Sequence, residues 1–424
     1  MPNKIGILTY YWPPSGGSGV QRWLKFSNEL SDIGNDIHIF TFKNSKYPVI
    51  DNELYKKIKS NIKVNYISGF ELPNFITSRN SKPSESFGRS SNFIDILLDY
   101  TIVRILLAIR EFFFFPDSRK YLISSAVKYI SDYNEKHSLD CLITTGPPHS
   151  MHLAGLQLKK EFNIKWISDF RDPWSNFFQN KLLNKFSSTQ LKHEKKEKEV
   201  VEFSDAVFTT SESLKNRFQE LNKNIYCIHS GYEKLIEPKS HDKFRILYAG
   251  SMKLIQNPKN LWIALHDLIS SDDSFKEFVE ITLIGNIDDE IFNTKEFKKI
   301  RDRKIISYMS KEKLNHEISI SELLIICSVN LDGSGDIIPG KFFHYYSSGK
   351  KMIAITQKGS DLEKIIDENN TGKSFEFQDT EDLKRYIINC FNDYVSGLKT
   401  TYDIKEKYLT SNIAKNISEI ISKI

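Results

Sequence analysis

A chain of 424 residues is too long for one ordinary hydrophobic core, so two domains are expected. Apolar residues make up 40% and charged residues 27%, as in a soluble globular protein, and a net charge of +5 is too weak to argue for nucleic acid, though it suits an anionic membrane surface or a phosphorylated substrate. The four cysteines (Cys141, Cys227, Cys327, Cys390) are far apart with no CxxC spacing, there is no signal peptide, and no apolar run reaches membrane-spanning length, so a reducing, cytoplasmic setting without structural zinc is expected.

Lys4–Tyr11 (KIGILTYY) reads as a buried parallel strand. Trp12–Gly19 is a loop with two prolines and three glycines, and Val20–Gly34 is a helix with Trp23, Leu24, Phe26 and Leu30 along one face. Asp36–Phe42 is the second strand. This is a Rossmann-like start, but Gly17-Ser18-Gly19-Val20-Gln21-Arg22 breaks GxGxxG at its last position. The second strand also ends without the acid that would hold a ribose, which argues against NAD. Gly17 and Gly19 still offer backbone N–H groups to an anion; the plainer alternative is a tight turn that permits close packing. Tyr47–Asn92 has no clear pattern and includes a Ser-rich stretch, Ser78–Ser91. Phe93–Phe115 is strongly apolar with few charges, and it reads either as a buried helix or as one resting on a membrane.

Ser118–Tyr133 is the next helix. The stretch from Asp140 to Trp174 is a strand–helix–strand unit. Its strands, Cys141–Thr145 and Lys165–Asp169, flank a helix bearing Met151, Leu153, Leu156 and Leu158. The first strand ends in Gly146-Pro147-Pro148-His149-Ser150, the second in Asp169-Phe170-Arg171-Asp172-Pro173-Trp174. A right-handed crossover puts both clusters on one sheet edge, where ligands of open parallel sheets bind. Leu191–Phe203, rich in Lys and Glu, reads as a helix with a solvated face. Asp205–Thr210, Ser211–Leu221 and Asn224–His229 read as strand, helix and strand. The polar stretch that follows marks a domain boundary.

A second βαβ series starts at Phe244–Ala249 and continues through a helix at Pro258–Ser270 and strands at Val279–Ile284, Leu323–Val329, Lys351–Thr356 and Lys373–Phe377. Pro339-Gly340-Lys341 opens a helix at a strand's carboxyl end. Asp379–Ser396 and the amphipathic tail Ser411–Ile424 are helices. The expected division is 1–235 together with 408–424, and 236–407.

Four stretches carry a resemblance: Tyr10–Arg22 (YYWPPSGGSGVQR), Gly146–Ser150 (GPPHS), Ser168–Trp174 (SDFRDPW) and Pro339–Lys350 (PGKFFHYYSSGK). In these the chain resembles the family 4 glycosyltransferases, chiefly bacterial enzymes of surface-polysaccharide assembly. The resemblance implies an α/β GT-B fold, two Rossmann-like domains facing across a cleft. It implies that the first domain binds a glycan or lipid-linked acceptor and the second a nucleotide-sugar donor, with a last helix crossing back to the first domain. It further implies retaining transfer without a metal or other cofactor, at the inner face of the cell membrane.

On the residues themselves, a departing diphosphate needs N–H groups and cations, for which Gly250, Lys253, Gly340 and Lys341 are placed. A solvent-exposed lysine is the alternative for Lys341. The family's arginine before Asn-Pro is replaced by Gln256, and its ribose-binding glutamate by His344, with Asp336 eight residues earlier. His149, Asp169 and Arg171 form the expected catalytic set. His149 is the positional match to a family histidine that contacts the donor sugar, and His152 reads as packing. Spacing i, i+3 would also allow a metal, without an evident third ligand. Arg171 would meet acceptor phosphate or support the cleft; the plainer alternative is a local pair with Asp169 or Asp172. Two other functions stay open: a catalytically weak binding protein of an assembly complex, and a sugar-nucleotide epimerase.

Overall fold

The computed structural model describes residues 3–71, 114–176, 187–300, 303–307, 309–398 and 401–424. The apolar segment Phe93–Phe115, read above as buried or membrane-resting, lies outside the described residues except for its last two. The chain divides into two compact units. Unit 1 is Met1–Thr210, Leu214–Ile228 and Ile413–Ile424, and unit 2 is Ser211–Ser213 and His229–Asn412.

The first half runs β1 (Lys4–Leu8), α1 (Ser18–Asp32), β2 (Asp36–Phe42), β3 (Lys63–Ile67), α2 (Ile123–His137), β4 (Cys141–Gly146), α3 (Ser150–Phe162), β5 (Trp166–Phe170), α4 (Ser187–Phe203), β6 (Ala206–Thr209), α5 (Glu212–Phe218) and β7 (Ile225–Cys227). The strands form one sheet in the order β3-β2-β1-β4-β5-β6-β7, every pair parallel. Successive residues of a strand face opposite sides. Ile5, Ile7, Ile37, Ile39 and Ile143 pack on one face with Trp23, Leu24 and Phe26 of α1. Leu8, Phe40 and Leu142 pack on the other with Ile130 of α2 and Met151 and Leu158 of α3.

The second half runs β8 (Phe244–Ala249), α6 (Lys259–Ser271), α7 (Asp273–Phe278), β9 (Val279–Ile284), α8 (Asp289–Phe292), α9 (Lys295–Lys298), β10 (Arg303–Ile306), α10 (Lys311–Ser319), β11 (Leu323–Cys327), α11 (Lys341–Tyr346), β12 (Lys351–Ile355), α12 (Asp361–Asn369), β13 (Gly372–Phe375), α13 (Glu381–Val395) and α14 (Thr410–Lys423). Its sheet, β10-β9-β8-β11-β12-β13, is also fully parallel and repeats the strand order of the first. Ile413, Ile417 and Ile420 of α14 join the unit 1 core, on the face that α1 covers.

Two strands are not anticipated from sequence, β3 and β10. Both lie at sheet edges with most of their side chains at least partly exposed, so KVNYI and RKII lack a continuous apolar run. In each sheet the strand order reverses between its first and fourth strands, β1/β4 and β8/β11. Ligands of such sheets bind outside the carboxyl ends at that point.

Candidate functional site

In unit 1, the reversal point collects the loop after β1, the Gly146–His149 turn after β4, and Asp169–Arg171 at the end of β5. Asp169 is fully buried and closed by donors. Arg22 Nη2 lies 2.7 Å from Oδ1 and Arg22 Nε 3.2 Å from both oxygens. Trp23 Nε1 and Thr145 Oγ1 donate to Oδ2 at 2.7 and 2.8 Å. Burial pushes this carboxyl up, but the Arg22 charge and the bonds from Arg22, Trp23 and Thr145 outweigh it and hold it below the usual range. Arg22 also donates to the Ile228 carbonyl at 2.8 Å. Asp169 therefore anchors α1 to the sheet.

Arg171 does not take the Asp169 pairing. Its guanidinium donates to the carbonyls of Gly146 (3.3 Å), Gly19 and Pro147. These bonds draw the glycine loop and the Gly-Pro-Pro turn together. Gly19 lies against this guanidinium, and a Cβ there would meet Nη1 at 3.1 Å. Gly17, which opens α1 at φ +83°, faces open space.

His149 immediately precedes α3, makes no side-chain capping bond to it, and is buried. Its ring lies parallel to the Trp174 indole, with centroids 4.9 Å apart and an interplanar angle of 2°. Its Nδ1 is buried and has no hydrogen-bond partner among the described residues. Burial, then His152, His193 and Arg171, hold it well below the usual imidazole range, so the ring is neutral. His152 is packed, as read from sequence. Its Nδ1 meets Thr144 Oγ1 at 2.9 Å, and that hydroxyl accepts from Trp166 Nε1 at 2.9 Å. Among the described residues, no group of three His, Cys, Asp or Glu side chains is placed to hold a metal ion.

Sequence reasoning missed His193 and Glu197 of α4, which face inward on Trp174. The signal was present: His193, Glu197, Val200 and Val201 fall at i, i+4, i+7 and i+8, a buried helical stripe inside a charged segment.

In unit 2, the ends of β8, β9 and β11 converge. Gly250 and Gly285 take φ of +125° and +120°, and a Cβ on Gly285 would lie 2.3 Å from the Gly250 carbonyl oxygen, so only glycine lets these two strand ends approach. Lys341, first residue of α11, points its ammonium back over this turn. Nζ lies 3.8 Å from the centroid of the Tyr248 ring, and a Cβ on Gly250 would be 2.9 Å from it. Nζ is buried with no hydrogen-bond partner among the described residues. Burial brings its pKa down to about 8. The adjacent Cys327 thiol is pushed up to about 12 by burial, stays neutral, and is no counter-ion. Tyr345 accepts from the Ala249 N–H at 2.7 Å and fastens α11 to the end of β8.

The other expected donor residues are engaged elsewhere. Lys253 is half exposed and pairs with Asp288 at 2.9 Å. Gln256 accepts from the Lys253 N–H and donates to the Cys327 carbonyl. His344 Nε2 lies 2.7 Å from Asn315 Oδ1 of α10. Gly340 precedes Lys341, with open space where a side chain would stand.

No family model matches this sequence, and no curated protein matches it. Solved structures do. A lipopolysaccharide outer core galactosyltransferase, WaaB, in its apo form, is 15% identical, aligns over 99% of this chain and 100% of its own, and has a TM-score of 0.58. TarM is 14% identical over 99% and 98%, with a TM-score of 0.64. A UDP-GlcNAc 2-epimerase from Neisseria meningitidis, bound to UDP-GlcNAc, is 11% identical over 99% and 100%, with a TM-score of 0.56. At these identities the likeness establishes architecture: the chain has the GT-B fold, two parallel-sheet α/β domains, shared by glycosyltransferases and by this epimerase.

Proposed function

We propose that this protein is a glycosyltransferase that moves a sugar from a nucleotide-diphosphate sugar to a glycan or lipid-linked acceptor, with retention, in cell-surface polysaccharide assembly. One observation carries the reading: Lys341 buries an ammonium at the strand-order reversal of unit 2 with neither counter-ion nor hydrogen-bond partner among the described residues. A buried, unpaired charge is costly, and a diphosphate arriving there would relieve that cost. The same cation would stabilise the diphosphate as it departs.

In this reading Gly250 and Gly340 leave room for the phosphates beside Lys341. Lys253 and His344 bind the donor only by exchanging their present partners, Asp288 and Asn315. Gly17 and Gly19 offer backbone N–H groups from unit 1. His149 orients the sugar as a neutral hydrogen-bonding ring, and the departing phosphate takes the acceptor proton. Asp169 and Arg171 serve by holding the glycine loop, α1 and the Gly-Pro-Pro turn in place. The nucleotide-sugar side belongs to residues 236–407, the acceptor side to 1–235 with 408–424. The UDP-GlcNAc bound by the epimerase neighbour supports a nucleotide-sugar ligand. A cytoplasmic place at an anionic membrane is supported by the net charge of +5 and the apolar Phe93–Phe115 sequence. No helix among the described residues is long and apolar enough to cross a membrane.

The test is donor consumption with and without acceptor glycans. A transferase releases nucleoside diphosphate and extends the acceptor. An epimerase converts the donor sugar without acceptor, and a binding protein does neither.

A further inference from the structure

Resting on that reading, we infer that Trp174 positions His149 for sugar transfer, and that His193 and Glu197, one turn apart on α4, lock Trp174. Nothing among the described residues hydrogen-bonds His149 Nδ1, so no polar contact there fixes the rotation of the ring. The parallel stack on Trp174 does. Trp174 is held in turn at its side chain and its backbone. Its indole N–H donates to His193 Nδ1 at 2.8 Å. Its backbone N–H and that of Ser175 both donate to Glu197 Oε1 at 3.1 Å, and the Ser175 hydroxyl donates to Oε2.

All of this is buried: Trp174 is 0% exposed, His193 4% and Glu197 5%. Burying an imidazole and a carboxyl costs free energy unless each is hydrogen-bonded, and an apolar pair would fill the same space more cheaply. Here these polar groups aim at one turn, and that turn ends in the ring under His149. The Trp174 bond also assigns the His193 tautomer, with Nδ1 as acceptor, which requires the neutral ring. Burial holds this pKa down to about 4. Near-attack geometry is sensitive to a displacement of about 1 Å, so a loosened stack should slow transfer without weakening donor binding.

The full-length protein tests this in two ways. His193→Leu and Glu197→Leu should cut kcat roughly tenfold or more at unchanged donor KM. His193→Asn and Glu197→Gln, which keep an acceptor at the same place, should recover most of it. Equal kcat in the Leu variants, or no recovery in the conservative pair, overturns the inference. Because the Leu variants could fail to fold, Trp174→Phe provides a milder change: an aromatic ring stays beneath His149 while the N–H anchor and part of the indole are lost, and kcat should still fall. The second arm does not depend on turnover. NMR relaxation of ¹³C-histidine-labelled protein should show the His149 ring as rigid as the backbone in the wild type and markedly more mobile in Trp174→Leu. A His149 ring equally rigid in both proteins overturns the inference. If the wild type transfers no sugar from any donor, the proposed function falls, while the NMR result still decides whether Trp174 orders His149.

Discussion

Arg22, from the first helix, closes on Asp169, at the end of the fifth strand, with Nη2 2.7 Å from Oδ1 and both side chains buried. The pair ties the glycine loop's helix to the strand whose next residues include Arg171. Removing one partner of a buried ion pair leaves the other charge uncompensated. Asp169→Asn should therefore destabilise unit 1 by about 3–5 kcal/mol. Urea unfolding of the variant checks this; a loss under 1 kcal/mol would mean the pair is not holding α1.

Lys341 gives a pH signature. Its pKa in the free protein is about 8, so below that pH the ammonium is already formed when an anion arrives. Above it, binding requires uptake of a proton. Nucleoside diphosphate affinity should fall as pH rises through about 8, whereas the last phosphate ionisation, near 6, lies below this window. Isothermal titration across pH 7–9.5 reads the fall, and Lys341→Met should flatten it. A wild-type affinity constant across the window removes Lys341 from the site.

The buried histidines predict acid sensitivity. His193 and His152 have folded pKa values of about 4 and about 3, below the ordinary 6.5. Between those values the unfolded chain binds more protons than the folded one, so stability is full above 6.5 and is lost as pH falls. Each ring contributes a slope of about 1.4 kcal/mol per pH unit in that window. Unfolding free energies from pH 7 to 4.5 should show His193→Asn with a shallower dependence than wild type. Parallel curves would mean His193 titrates in the fold as it does in the unfolded chain.

His149→Ala should lower turnover roughly 10²-fold, as loss of a positioning contact can, while binding of the bare nucleotide stays intact, because the proposed nucleotide site at Lys341 lies in unit 2. Steady-state kinetics and nucleotide titration separate the two. Normal turnover in His149→Ala with loss in His152→Ala would move the role to His152; loss in neither would leave the Gly146–Ser150 turn as scaffold.

The core strands were legible because strands buried on both faces read as apolar runs, as in KIGIL, CLITTG and LLIIC. The carboxyl-edge loops were legible by their Gly and Pro content. The partners that decide what each site residue does were not. Asp169 and Arg22 are separated by 147 positions, and only the sheet order brings them together. His344 stands where the family's ribose-binding glutamate would, but the side chain it meets, Asn315, lies on α10, a helix outside that motif. Lys341 illustrates the same limit. A lysine opening a helix reads equally as solvated, and only the approach of Gly250 and Tyr248 shows its ammonium to be buried.

The most direct test of the central claim is a thermal-shift screen with UDP, GDP, ADP and their sugars on the wild type and on Lys341→Ala. A ligand that binds only the folded state stabilises it by about 2.7 kcal/mol at one hundred times its Kd. At least one nucleotide should raise the wild-type midpoint, and the same concentration should raise that of Lys341→Ala far less, since the lost contact is worth about 1–3 kcal/mol. No shift with any nucleotide, or equal shifts in both proteins, would contradict a diphosphate site at Lys341.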